Sequence, residues 1–354
     1  MSRTRKLRLV AVALVAPLLL TACTRAAEPT TPAAVDAPVA ANKIKAPAKT
    51  LGIWQSQGDG EGQVETLAGI KAAADALGWK VVVTDSNGDQ QAMQSTMQSL
   101  ISQKVDAILT VFVASGLIAA QLGQAKAAGI PVLSVGYQGT PNENITAEYA
   151  PDQAEEAKLL LERMGQDLGE GAKIAPIAVQ GYYGIDQVMA ALDAQKAQYK
   201  FDVLQTANAP VADIFNGQTK AASSFLNANP DLDAFYAALD IGPQAIAPAL
   251  KQTSREVPIY SFGAISSALE SVRNGQAIVA TSDGTVKAGF LAVDALLALW
   301  VNNTPIPTTI PAEHALTYQI VDKTNAPAKG ASVYPLADIS KPFFDSWTTK
   351  YGAA

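Results

Sequence analysis

The chain has 354 residues but only one Cys, one His, 6% aromatic residues and 16% charged ones. One Cys excludes an internal disulfide framework and any Cys-rich metal centre. One His removes His-pair and most zinc chemistries, so neither a metal nor a cofactor is expected. Basic residues are also short: 26 Lys and Arg stand against 32 Asp and Glu, a formal charge of −6. Nucleic-acid binding rests on Lys and Arg matching phosphates, so that partner class is excluded. What is abundant is hydrophobic side chain, 49% of the total, which excludes wholesale disorder. At ~150 residues per domain the length suggests two domains or one large doubly wound one.

The N-terminus predicts export. Arg3, Arg5, Lys6 and Arg8 precede an apolar run from Leu9 to Leu20. The run is shorter than the ~20 apolar residues of a membrane span but suits a secretory signal. It ends in Leu20-Thr21-Ala22-Cys23, which resembles the bacterial lipobox and implies a lipidated Cys23 after removal of residues 1–22. Removal deletes four basic and no acidic side chains, leaving 22 against 32, or −10. Acyl chains rather than charge would then hold the protein at the membrane. Residues 23–49, rich in Ala, Pro and Thr without a hydrophobic period, are expected to form a flexible tether, packing on the domain only near its end.

Beyond residue 50 short β-rich runs alternate with helical spacing. Strands are predicted at 51–54, 80–84, 106–113 and 129–135, and helices at 62–77, 90–103 and 115–128. Val64, Leu67, Ile70, Ala74 and Leu77 illustrate the helical face, with steps of three, three, four and three. The strands are near-continuous apolar runs, as a parallel sheet covered on both faces requires. A Gly/Pro/Asn-rich break at 138–150 separates a second series. It has helices at 152–167, 184–198, 213–228, 241–251 and 266–274, strands at 173–179, 201–206, 233–239, 257–262 and 277–281, and a long helix at 284–302. The fold class is therefore α/β, two doubly wound parallel-sheet lobes with a ligand cleft at the strand carboxyl ends.

Few motifs carry chemistry. Gly58-Asp-Gly-Glu-Gly62 sits where a phosphate loop would, but it lacks the fingerprint spacing and a Lys, and Asp59 and Glu61 would repel phosphate. It remains a strand-to-helix loop from which Trp54, Gln57 and Asp59 can face a ligand. Asp240 and Asp283 each follow a buried strand and precede a helix, which marks them as candidates, whereas Asp85 and Asp152 suit turns or caps. Ala280-Thr-Ser-Asp-Gly284 with His314 is the one enzyme-like constellation, an imperfect nucleophile elbow that leaves a serine hydrolase as a minor alternative.

The ordered set LGIWQSQGDGEGQVETLAGIKAAADALGWKVVV, GDQQAMQSTMQSLISQKVDAILTV, AKAAGIPVLSV, VPIYSFGAI and LESVRNGQAIVATSDGTVKAGFLAVDAL, over residues 50–310, resembles the type 1 periplasmic solute-binding proteins of ABC transporters, the ribose-binding-protein-like group. The resemblance implies two lobes joined by three crossovers: 50–145 plus 284–318, and 146–283 plus 319–354. It implies a pocket in which rings stack on a sugar face while polar groups bind hydroxyls. Trp54, Gln57, Tyr137, Asp240 and Phe262 fall at matching positions, and Phe112 and Phe215 join the candidate ligand set. The chain departs from the pattern elsewhere: Gly136-Tyr137 replaces an Asp, and Ala264 replaces another. Gln180, Tyr182, Tyr183 and Asp186 occupy the area of a missing Arg, and Ser282-Asp283 that of a Gln. The resemblance thus implies a non-enzymatic, monomeric receptor, anchored outside the cytoplasm through Cys23, that takes a small uncharged sugar, polyol or related solute to permease subunits. A sensor presenting its closed form to a signalling receptor is the alternative.

Overall fold

A computed structural model describes residues 44–112, 115–179, 183–210 and 213–352. Cys23, Gln180 and Tyr182 lie outside the described residues.

The first series forms a five-stranded, all-parallel sheet: β1 (Thr50–Gln55), β2 (Lys80–Asp85), β3 (Ala107–Val111), β4 (Val132–Val135) and β5 (Ala147–Tyr149), in the order β2-β1-β3-β4-β5. Between them run α1 (Glu61–Ala76), α2 (Gln90–Ser102) and α3 (Ala119–Ala127), the last preceded by a 3-10 turn at Ser115–Ile118. Asp89 caps α2 by accepting from the Ala92 N–H. β5 falls inside the Gly/Pro/Asn-rich stretch expected to be irregular. Three residues are too few to show a period, and the strand exists because it pairs with β4.

The second series follows as α4 (Gln153–Leu168), β6 (Lys173–Val179), α5 (Tyr183–Tyr199), β7 (Asp202–Val203), β8 (Ala207–Ala209), α6 (Ile214–Ala228), β9 (Ala234–Ala237), α7 (Gly242–Thr253), β10 (Ile259–Phe262), α8 (Ser266–Arg273) and β11 (Ala277–Ser282). Asp152 caps α4, accepting from the Ala154 and Glu155 N–H groups. The strand expected at 201–206 shortens to β7, and β8 follows just beyond it; both pair with β6. β6, β9, β10 and β11 are consecutive parallel neighbours, and a late strand, β12 (Tyr318–Val321), joins β11 antiparallel.

α9 (Gly284–Asn302) leaves β11 but packs in the first sheet's core with Leu51, Ile70 and Leu133. It is long and apolar enough to cross a membrane by composition, yet most of it is buried against α1. The two helices meet through glycines: a Cβ on Gly289 would stand 2.6 Å from the Ile70 nitrogen, and one on Gly69 would stand 2.5 Å from the Val286 oxygen. Only the absence of side chains there lets the backbones touch.

The tail corrects the expected lobe boundary. β12 belongs to the second sheet, but α10 (Leu336–Tyr351) returns to the first, where Leu336, Phe343, Phe344 and Trp347 enter the core with Phe290. Burial of these four large apolar side chains favours docking of α10 there, at the end of the connecting strap, 322–335. Next to it, Lys45 N–H donates to the Tyr351 carbonyl, and Lys49 pairs with Asp106 at 2.8 Å, so residues 44–49 pack on the domain.

Candidate functional site

The parallel strands of both sheets end at a common cavity of about 400 Å³. Sheets of this order reverse direction between the first strand and its second neighbour, which opens a crevice at their carboxyl ends. The loops after β1, β3 and β4 supply Gln57, Asp59, Phe112 and Tyr137; those after β9, β10 and β11 supply Asp240, Ala264 and the neighbourhood of Ser282.

Two rings dominate the first side. Phe112 follows β3 with φ of +56°, a conformation costly for a residue with a side chain, and its carbonyl accepts from the Ser56 hydroxyl at 3.2 Å. Its ring stacks on Tyr137, centroids 5.3 Å apart and planes 14° apart. Gly62 in α1 lies under Phe112, where a Cβ would come within 3.0 Å of the ring. Tyr137 extends to α5 of the second side, since a Cβ on Gly184 would be 2.6 Å from its ring. On the opposite wall Phe262 meets Tyr236 edge-on at 5.7 Å.

Carboxyl groups dominate the polar lining. Asp59, Glu61 and Glu65 come from the first side, Glu156 and Asp240 from the second. Burial first, then the charges of Glu61 and Asp240, pushes the Glu65 carboxyl up to about 7. Burial, with Glu61 adding, raises Asp240 to about 6 against the opposing Ile241 N–H bond at 2.8 Å. Burial also raises Glu156 to about 8, opposed by its hydrogen bond with Ser282. No Lys, Arg or His lines the cavity among the described residues. The amide oxygen of Gln153, a side chain only 4% exposed that lines the cavity, has no hydrogen-bond partner. Among the described residues, no three Asp, Glu, Cys or His side chains converge to hold a metal ion.

Residues 52–304 match a family model described as periplasmic binding protein domain. The chain belongs to the periplasmic binding protein family, in its type 1 architecture. It is 30% identical over 248 residues to a xylitol-binding protein of Mycolicibacterium smegmatis, covering 66% of this chain and 68% of that one. It is 24% identical over 258 residues to the ribose import binding protein of Bacillus subtilis, 70% and 80% of the two chains. An ABC transporter solute-binding protein from Mycobacterium smegmatis with bound glycerol superposes with a TM-score of 0.70 at 23% identity, over 82% of this chain and 99% of its own. One from Bacillus halodurans with bound myo-inositol gives 0.68 at 19%, over 80% and 97%.

In this periplasmic binding protein, Gln57, Asp59, Phe112, Tyr137, Asp240 and Phe262 line the cavity together. Trp54 does not. It lies within β1, paired in register with Thr84 and Thr110, 0% exposed, and its indole N–H donates to the Met93 carbonyl and Thr96 hydroxyl. The alternation of strand side chains turns it into the layer beneath α2. Phe215 is 36% exposed because the first turn of α6 presents Ile214 to the cavity instead. Asp186 on α5 is exposed and Tyr183 half-buried, and both lie outside the lining, to which α5 contributes Val188. Asp283 is buried but serves a crossover: its carboxylate accepts from the Thr317 N–H at 3.0 Å and from Lys287 at 3.2 Å.

Ser282 and His314 share no hydrogen bond. The Ser282 oxygen accepts from the Gly284 N–H, while His314 stacks on Phe343 at 5.3 Å and sits 4.0 Å from Asp294. A hydrolase would need the two in contact.

Sequence reasoning missed Glu65, Gln153, Glu156 and Tyr334. Glu61 and Glu65 are four apart on the first turns of α1, a spacing that places both on one face and was readable. Nothing local marks Tyr334, which reaches the cavity only because the strap crosses it, its hydroxyl donating to the Thr281 carbonyl at 3.3 Å.

Proposed function

We propose that this protein is the solute receptor of an ABC importer, tethered outside the cytoplasm through lipidated Cys23, and that it works as a monomer. It captures a small hydroxyl-rich solute of the sugar or polyol class and delivers it to permease subunits. The observation that carries this reading is the cavity itself, shared by the carboxyl ends of two sheets and holding rings beside closely set hydrogen-bonding groups. Ring faces cover the apolar C–H side of such a solute, while buried hydroxyls require paired donors and acceptors. The ligands for which these relatives are named, xylitol and ribose, belong to that class. Closure of the lobes on the solute excludes water and is biased by contacts that only the closed form makes.

Calorimetry and thermal shift against sugars and polyols, among them xylitol, ribose, glycerol and myo-inositol, test the reading. Binding by at least one solute, with compaction in small-angle scattering, is the expected outcome. Protein extracted from membranes should carry acyl chains on an N-terminal Cys23 by mass spectrometry. Absence of both stabilisation and compaction across this panel and its amine-bearing analogues removes the receptor assignment, and an unmodified N-terminus removes the anchor.

A further inference from the structure

We infer that the solute carries a protonated amine on its hydroxylated frame, as an amino sugar or amino polyol does. This rests on the receptor reading above and replaces the uncharged solute expected from the sequence.

The cavity is one-sided in charge. Asp59, Glu61, Glu65, Glu156 and Asp240 line it, with no basic side chain among the described residues to pair with any of them. By sequence, Val113-Ala114, Gln180-Gly181-Tyr182 and Val211-Ala212, which lie outside the described residues, contain no Lys, Arg or His. Unpaired carboxylates enclosed in protein are costly, and they are stabilised by a cation or by taking up a proton. A neutral polyol supplies hydroxyls but no charge. An ammonium group supplies charge and three donors at once.

Two further observations point the same way. The unpartnered, buried amide oxygen of Gln153 is an acceptor without a donor. Phe112 and Tyr137 line the same cavity, so aromatic rings, whose faces attract cations, stand beside the carboxyl groups. A divalent metal fits less well, since among the described residues no three acidic or His ligands converge.

The arrangement also couples charge to closure. Glu61 and Glu65 sit on α1 of the first side and Asp240 after β9 of the second; the charge of Glu61 raises the proton affinity of Glu65 and of Asp240, and Asp240 raises that of Glu65. Their mutual repulsion opposes approach of the lobes when the cavity is empty. An ammonium between them removes it. Since Glu65 and Asp240 bind protons near neutrality, a cation entering the site expels them, and its binding strengthens as pH rises from 5.5 to 7.5.

The test is calorimetry on the full chain with matched pairs at pH 7.5: glucosamine and glucose, galactosamine and galactose, 1-amino-1-deoxysorbitol and sorbitol. At least one aminated member is expected to bind tenfold or more tightly than its parent, with proton release seen as a dependence of the heat on buffer ionisation. In Glu65→Gln and Asp240→Asn the ratio of aminated to neutral affinity should fall at least tenfold, whatever either change does to binding of the neutral parent. Circular dichroism verifies that the variants fold, and the wild-type pairs decide the matter without them. Neutral members binding as tightly as aminated ones, or more so, overturn this inference and leave the receptor reading standing. No binding and no compaction with either class overturns both.

Discussion

The two sheets place their parallel strands alike, with the first strand inside and the second at the edge, yet they bring different chemistry to the cavity. The first contributes the Phe112–Tyr137 stack and the Glu61–Glu65 pair on α1. The second contributes Glu156, Asp240, the unpartnered Gln153 oxygen and the edge-on Phe262. The first side is also reinforced by late helices, α9 and α10, while the second gains the antiparallel β12 and, from the strap, Ala326 and Val333. Topology thus repeats while the loops differ, as expected where a rigid scaffold carries variable loops. The side that receives the tail should be the more sensitive to changes far from the cavity.

The largest expected effect comes from removing the tail's anchor. Trp347 is fully buried in the first sheet's core, and its indole N–H donates to Asp294 at 2.6 Å. Trp347→Ala should cost about 4 kcal/mol in chemical denaturation, through lost burial, a cavity and an unpaired carboxylate. A cost near zero would mean that α10 does not brace the first lobe. Next is the glycine crossing. Gly289→Ala pushes a methyl against the Ile70 backbone and should cost about 2 kcal/mol, although Ala ordinarily favours a helix. Stabilisation by the substitution would show that α1 and α9 are not in backbone contact.

The pH-dependent effect belongs to the second side. Burial holds the Glu156 carboxyl at about 8, against an ordinary 4.5, so between those values the folded chain keeps a proton that the unfolded chain has lost. Its contribution to stability is therefore full below about pH 4.5 and is lost as pH rises to about 8. Glu156→Gln should match wild type at pH 4.5 and exceed it at pH 8, read from denaturation at the two pH values. A variant less stable at pH 8 would mean that the ionised carboxylate is favoured by its surroundings.

Most of the scaffold was legible in the sequence because each of its elements is encoded within a few residues of itself. The helix expected at 284–302 and the strand at 173–179 coincide with α9 and β6, and the others differ by a few residues at their ends. The elements missed, β5, β8, β12 and α10, are short or late, and the three strands exist through pairing rather than pattern. Trp54 shows the corresponding limit at the site. A Trp near a strand end suits a stacking platform, but one further residue of strand turned it into core.

By itself the sequence determined the alternation of strand and helix, the break between two series, and a site whose loops lack basic residues, since these depend on local spacing and composition. Only the tertiary structure decided that α10 returns to the first sheet, that Tyr334 reaches the cavity, and that Glu61, Glu65 and Asp240 face one another across it. Those meetings join distant residues: Glu61 and Asp240 are 179 positions apart, and Leu51 and Trp347 are 296. They are fixed by helix rotation and by the path of the crossovers, and no local periodicity encodes either.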